Sequence, residues 1–236
     1  MDTMNSIREE VSRDYQLTPG LCSLVSIPSR NRRWGSSSYR GNCDGTLFKD
    51  LVRLYKPKSV ADPMLGSGTT ADVMHGLHQA GLYRGRFWGS DLKRGFNLLT
   101  SLMPGEFDFV WIHPPYWDII RYSETPDDLS TLSSYEEFRQ ALAACLDRCY
   151  QALLPGGRLA VLVGDVRRRG RYYCLGHDVM ALAGRLGELR SVIIKAQHNC
   201  TSDSKRYGTM EDPPIKHEYC IVFKKPQTTL AGSHAA

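Results

Sequence analysis

Val60-Ala-Asp-Pro-Met-Leu-Gly-Ser-Gly-Thr-Thr70 is the stretch on which the organisation of the chain turns. Val60 and Ala61 close a short apolar strand. Asp62 and Pro63 follow, and Gly66-Ser67-Gly68 forms a bend from which Thr69 and Thr70 open a helix reaching to about residue 79. A strand that turns through small residues into a helix N-terminus lets backbone approach a ligand closely, with N–H groups aimed at it. No Lys-Ser/Thr pair follows the glycines, which excludes a phosphate-binding P-loop, and the third glycine of the dinucleotide fingerprint is missing.

On either side of this loop, strand and helix patterns alternate. A capping-box pattern at Ser6 to Glu9 predicts a helix over 7–15. Residues 23–45 are rich in Ser, Arg, Gly and Asn and read as a long loop. Leu47, Phe48, Leu51 and Leu54 recur with helical spacing, and Pro57 ends that helix. Strands are expected at 59–62, 86–91, 107–112, 158–164, 190–197 and 218–224, with helices at 134–153 and about 177–186. Such alternation specifies an α/β, doubly wound, mostly parallel sheet. The last two strands have no helix between them and are expected to form an antiparallel hairpin at one edge. Residues 1–45 read as an N-terminal helix and loop, 46–225 as the main domain and 226–236 as a disordered tail.

The chain has 236 residues, enough to bury a core without staples. No apolar run approaches the roughly 18 residues of a membrane helix and no signal peptide is visible, so no membrane partner is expected. Seven scattered cysteines without a Cys-x-x-Cys pair argue against a metal site and for reduced thiols in a cytoplasmic protein. The net charge of +5 is modest, but Arg30, Arg32, Arg33 and Arg40 lie among Trp34 and Tyr39. Arg167, Arg168, Arg169 and Arg171 adjoin Tyr172 and Tyr173, and Lys205 and Arg206 adjoin Tyr207. Basic clusters interleaved with aromatics suit a nucleic acid; the plainer reading is solvated loops.

In a doubly wound sheet, ligands sit at the carboxyl ends of strands beside the switch point. Asp62 to Gly68 is one such end. Asp91 ends the next strand, where a carboxylate can accept from two ribose hydroxyls or simply cap a turn. A third end is Asp108-Phe-Val-Trp-Ile-His113-Pro-Pro-Tyr116-Trp117. Two prolines there stiffen the bend. The Pro114 carbonyl and the side chain at 113 can accept both protons of an exocyclic base amine, leaving its lone pair aimed at an electrophile. Tyr116 offers a ring on which a base can stack. Asp118, Arg121 and Tyr122 follow on a short segment suited to lining the same pocket, or Asp118 instead caps the next turn.

Asp62-Pro-Met-Leu-Gly-Ser-Gly-Thr-Thr70 resembles the cofactor loop of the amino-methylating DNA methyltransferases that use S-adenosylmethionine. His113-Pro-Pro-Tyr116 resembles their catalytic Asp/Asn/Ser-Pro-Pro-aromatic motif. Leu154-Pro-Gly-Gly-Arg158 is similar to the turn before their fifth strand, and Tyr39-Arg-Gly-Asn-Cys43 to the segment that closes over the cofactor. The resemblance implies a Rossmann-like class I methyltransferase fold with a mostly parallel seven-stranded sheet. By the same resemblance Asn42, Asp62, Pro63, Gly66, Ser67, Gly68, Thr69 and Thr70 hold the methionine end of the cofactor, Asp91 the ribose and Asn97 the adenine. His113, Pro114, Pro115 and Tyr116 receive the target amine. Trp117, Arg121, Arg167, Arg168, Arg169, Lys205 and Arg206 are the candidates for substrate contact.

The reaction implied is methyl transfer to N6 of adenine or N4 of cytosine in DNA, by a monomer or homodimer, as in restriction–modification. An RNA amino-methyltransferase, or a weakly catalytic nucleic-acid-binding relative, is the alternative. No cysteine stands in a Pro-Cys context after a strand, which argues against carbon-5 chemistry. Position 113 departs from the family in carrying His. A neutral imidazole accepts one hydrogen bond and an imidazolium accepts none. Activity is therefore expected to fall at low pH as His113 protonates. His113→Asn should lose activity or its acid limb; full activity with an unchanged pH profile would refute this role.

Overall fold

The structure, a computed structural model, describes residues 14–198 and 211–227. Its strands are β1 (Leu24–Ser26), β2 (Ser59–Asp62), β3 (Arg86–Gly89), β4 (Phe107–Ile112) and β5 (Leu153–Val163). They continue with β6 (Val166–Arg168), β7 (Arg171–Tyr173), β8 (Glu188–Ala196) and β9 (His217–Lys224). The helices are α1 (Thr46–Tyr55), α2 (Thr69–Gln79), α3 (Tyr135–Gln151) and the short α4 (Leu175–Met180). Seven strands form one sheet in the order β1-β8-β9-β5-β4-β2-β3, while β6 and β7 pair separately as a hairpin. Every pairing in the large sheet is parallel except those of β9, which runs against both neighbours. This is the Rossmann-like, doubly wound architecture that the sequence predicts.

Strand periodicity explains how the sheet supports two cores. Leu159, Val161 and Val163 of β5 pack with Val110 and Ile112 of β4 beneath Phe138, Leu142 and Leu146 of α3. Ala160 and Leu162 point the other way, with Phe109 and Trp111, towards Phe48 and Leu51 of α1 and Val73 and Leu77 of α2. A strand covered on both faces has no polar side, so it reads as a continuous apolar run. Ser134 caps α3 in a capping box: its hydroxyl accepts from the Glu137 N–H, and its own N–H donates to Glu137. Among the described residues no helix is long and apolar enough to cross a membrane.

Three expectations need correction. The antiparallel hairpin of β8 and β9 is not an edge, because Leu24–Ser26 adds a parallel strand outside β8. That three-residue strand is hidden in a polar loop sequence, and its stability comes from the ladder groups that β8 would otherwise leave unpaired. Leu154-Pro-Gly-Gly-Arg158 does not precede β5. Leu153 already pairs with Phe107 and Arg158 with Phe109, so the segment bulges within the strand, with Gly156 at φ 81°. The arginine cluster at 167–171 folds into the β6–β7 hairpin rather than a loop. The expected helix over 7–15, apart from its last two residues, lies outside the described residues, as does the tail beyond 227.

Tyr15, Trp34 and α2 are locked together on the α1–α2 face. The Trp34 indole N–H donates to the Tyr15 hydroxyl at 3.1 Å, and both side chains are buried. A methyl group at Gly76, in the middle of α2, would overlap the Tyr15 ring. Gly→Ala inside a helix ordinarily stabilises by up to about 1 kcal/mol. Here overpacking reverses the sign: Gly76→Ala should lose about 1–3 kcal/mol, read from the urea midpoint.

Candidate active site

β2 and β4 are parallel neighbours, so Asp62 and His113 leave the same edge of the sheet. The glycine loop between β2 and α2 is braced by acids at both ends. Asp62 Oδ1 accepts from the Met64 N–H at 3.0 Å and Oδ2 from the Thr70 hydroxyl at 2.6 Å. Asp91 Oδ2 accepts from the Gly66 N–H at 3.0 Å, and Oδ1 from the Arg94 N–H at 3.0 Å. The Arg94 guanidinium closes on the same carboxylate. Gly66 and Gly68 sit at φ 53° and 87°, the left-handed region open to glycine at little cost. Burial raises the Asp62 carboxyl to about 6, against the opposing hydrogen bonds from Thr70 and Met64.

The segment before α1 lies across this loop. Asn42 Oδ1 accepts from the Thr69 hydroxyl at 2.5 Å while its Nδ2 donates to the Ser36 carbonyl at 2.7 Å. The Gly35 N–H donates to Asp72 in the first turn of α2 at 2.7 Å. The Tyr39 ring borders Gly66 and stacks on Tyr122 with centroids 5.8 Å apart. Tyr122 follows the Pro-Pro motif, so the Tyr39–Tyr122 stack joins the two halves of the site from above.

Beyond β4 a buried polar chain runs through the sheet end. His113 Nε2 lies 2.9 Å from the Tyr116 hydroxyl, which donates to Glu218 Oε1 at 2.8 Å. Glu218 Oε2 accepts from Lys195 Nζ at 2.7 Å. Lys195 and Glu218 are direct cross-strand partners on β8 and β9, with only 8% and 7% of their surface exposed. Burial would push the Glu218 carboxyl up, but Lys195, His113 and the hydroxyl of Tyr116 outweigh it and hold it below its ordinary value. Burial likewise opposes the charge on Lys195, and the Glu218 carboxylate wins, leaving it raised. Burial lowers His113 to about 4, despite the pull of Glu218 in the opposite sense, and drives Tyr116 well above the usual phenol range.

These elements enclose a cleft of about 990 Å³, counted to its open mouth. Asn42, Asp62, Pro63, Gly66, Ser67, Thr69, Thr70, Asp91, Asn97, His113 and Pro115 all line it, as do Leu92, Phe96, Leu98 and Leu99. Asp62, Asp91, Asp127 and Asp128 are the acidic residues of its lining and Lys93 the one ammonium, with Asp91 paired to Arg94 and the Asp128 carboxylate bonded to Ser123 and Ser130. Gly68 shapes the loop, and Pro114 is buried behind the bend, with neither lining the cleft.

Several expected contacts fall elsewhere. The Tyr116 hydroxyl is committed to the polar chain and its ring edge rests against Gly164, so it does not line the cleft as a stacking face. Trp117, expected at the substrate, is buried against Tyr135 and Tyr173, with its indole N–H donating to the Leu132 carbonyl. Its apolar bulk fills the core more favourably than it would cover solvent. Arg121 pairs with Glu124 at the surface, and Arg168 grips Asp118 through two nitrogens. Arg167 pairs with Asp212 and packs over Tyr172. Arg169 sits at the hairpin tip with φ 51°. Lys205 and Arg206 lie outside the described residues.

Glu218 and Lys195 were not expected in a site, whereas Tyr39 and Tyr122 belong to segments expected over the cofactor and beside the base, and both line the cleft. The signal for the first two is present in the sequence: one Lys in Ser191-Val-Ile-Ile-Lys195 and one Glu in Glu218-Tyr-Cys-Ile-Val-Phe223 interrupt β-type runs with opposite charges. Buried charges of that kind come in pairs.

No protein-family model and no curated protein matches the sequence. Solved structures do. A candidate DNA modification methylase from Thermus thermophilus, complexed with S-adenosyl-L-methionine, is 25% identical over 58% of this chain and 54% of its own, with a TM-score of 0.38. TrmN from Thermus thermophilus is 18% identical over 78% of this chain and 50% of its own, with a TM-score of 0.43. The N-methyltransferase NodS from Bradyrhizobium japonicum, bound to S-adenosyl-L-homocysteine, is 10% identical over 93% of this chain and 98% of its own, with a TM-score of 0.43. The match spans about half the length of the first two proteins.

A depressed pKa leaves the His113 ring neutral above about 4 and charged only below it. Between the ordinary imidazole value near 6.5 and that point, the unfolded chain takes up a proton that the folded chain refuses, so stability falls as pH drops through this window. In an NMR titration the His113 ring signals should hold steady from pH 8 to about 5 and move only towards 4. A midpoint near 6.5 would show that the ring is not desolvated as the structure has it.

Proposed function

We propose that the chain transfers a methyl group from S-adenosylmethionine to the exocyclic amine of adenine (N6) or cytosine (N4) in DNA. One observation carries this reading: the glycine loop, Asp91 and His113 meet in a single cleft whose charged lining is mostly acidic. Excess carboxylate repels a polyphosphate and favours a ligand with positive charge and sugar hydroxyls.

The residues present fit the cofactor. Asp91 Oδ1 retains one lone pair for a ribose hydroxyl beyond the bonds from Gly66 and Arg94. Leu92, Phe96, Leu98 and Leu99 offer an apolar seat for a flat ring, with Asn97 beside them. Asp62, Asn42 and Thr69 stand at the opposite side of the glycine loop for an amino-acid end. Bound there, S-adenosylmethionine supplies an electrophilic methyl group. His113 orients the amine, and the Tyr39–Tyr122 pair excludes water from above. Catalysis of this kind rests on positioning and hydrogen bonding rather than on a protein nucleophile.

A base in a duplex must leave its stack to reach His113. The exposed end of the β6–β7 hairpin, with Arg169 and Arg171, offers charge to phosphates, which would make binding salt-sensitive. DNA is favoured over RNA by the resemblance of the two main motifs.

Methyl-labelled cofactor, offered with DNA and RNA separately and followed by nucleoside analysis, tests the reaction and the base together. Label in N6-methyldeoxyadenosine or N4-methyldeoxycytidine is expected. Label confined to ribonucleosides would move the substrate to RNA. Silence in both, with no calorimetric heat from the cofactor, would remove the enzymatic reading altogether.

A further inference from the structure

The polar chain behind His113 assigns a proton to every atom in it. Glu218, held by Lys195, presents a carboxylate that only accepts hydrogen bonds. Tyr116 has one hydroxyl proton, and that proton points to Glu218 Oε1. The Tyr116 oxygen can then only accept from the ring nitrogen 2.9 Å away, so the proton of neutral His113 sits on Nε2. Nδ1 is left with a bare lone pair, no described residue bonds it, and the ring lines the cleft. An Asp, Asn or Ser at position 113 would need no such backing, whereas a His with the opposite tautomer would present an N–H to an incoming amine and repel it.

We propose that Lys195 and Glu218, acting through the Tyr116 hydroxyl, are positioning residues that hold His113 in its Nε2–H tautomer, so that Nδ1 accepts a proton from the amine being methylated. This rests on the reaction proposed above. The amine lone pair forms the new nitrogen–carbon bond as the carbon–sulfur bond breaks, its electron pair staying on sulfur. The nitrogen, now positively charged, loses one proton to Nδ1. The imidazolium so formed faces Glu218 through the Tyr116 hydroxyl, which stabilises it until it releases the proton to water.

Long-range proton–nitrogen NMR on the full chain with labelled histidine reads the tautomer without cofactor or substrate. In the wild type His113 should carry its proton on Nε2. In Glu218→Gln, Lys195 still demands the side-chain oxygen, so the amide N–H₂ turns to Tyr116. The hydroxyl of Tyr116 then donates to Nε2, and the His113 proton moves to Nδ1. With the acceptor lost, kcat should fall by about 10²- to 10⁴-fold, the usual worth of a general base, with the cofactor Kd unchanged. An Nδ1–H tautomer in the wild type, or an unchanged tautomer in Glu218→Gln, would overturn the proposal. Should that variant not fold, Tyr116→Phe serves: its His113 proton should be shared between both nitrogens, and a pure Nε2–H form would count against the relay. Normal turnover despite an inverted tautomer would remove only the proton-accepting role. A wild type that methylates nothing would remove the reaction on which that role stands, whatever the tautomer.

Discussion

The parallel pairing of β2 with β4 is the constraint on which the site depends. Their connections leave towards opposite faces of the sheet: α2 packs with α1 on one side and α3 lies on the other. A crevice opens between the two strand ends for geometric reasons alone. The glycine loop occupies one lip and the Pro-Pro bend the other. Because both strands are buried in the sheet, the two lips are held at a fixed separation that neither loop could maintain unaided.

Charge placement then decides what the crevice can do. A carboxylate-lined cleft sits in front of His113, and a compensated ion pair sits behind it. Removing one member of such a buried pair typically costs roughly 3–5 kcal/mol, whereas a well-packed apolar substitute would often cost nothing. Stability alone therefore gives little reason for Lys195 and Glu218 to stand in the middle of two strands. The hydrogen bond that Glu218, held by Lys195, accepts from Tyr116 does: through it the pair turns an otherwise ambiguous imidazole into a ring with a defined donor and a defined acceptor. Burial helps in the same direction by keeping that ring neutral.

Much of the scaffold could be read from local pattern. β5 was legible because a strand covered on both faces has to be apolar throughout, and α3 because Ser134 and Glu137 spell out a capping box. The two strand ends that carry Asp62 and His113 were legible because glycine and proline have backbone preferences that little else explains. β1 was not legible, since three residues in a polar stretch carry no period and gain their strand geometry only from the edge of β8. Trp117 misled for a related reason. Its position next to the motif suggested a base contact, yet only the packing of Tyr135 and Tyr173 around it shows that its ring is spent on the core.

By itself, the sequence determined the alternation of strands and helices, the glycine bend, the stiffened Pro-Pro turn and the oddity of a histidine at position 113. All of these are local: they follow from side-chain period and from what glycine and proline allow. Tertiary structure alone decided that Lys195 stands opposite Glu218, that Glu218 reaches Tyr116 across 102 positions of chain, and that Tyr39 meets Tyr122. Register between strands far apart in sequence is set by the fit of the whole core, because slipping one strand by one residue would turn every buried side chain outward. The state of His113 is a consequence of that register, and so it could not be read from the residues beside it.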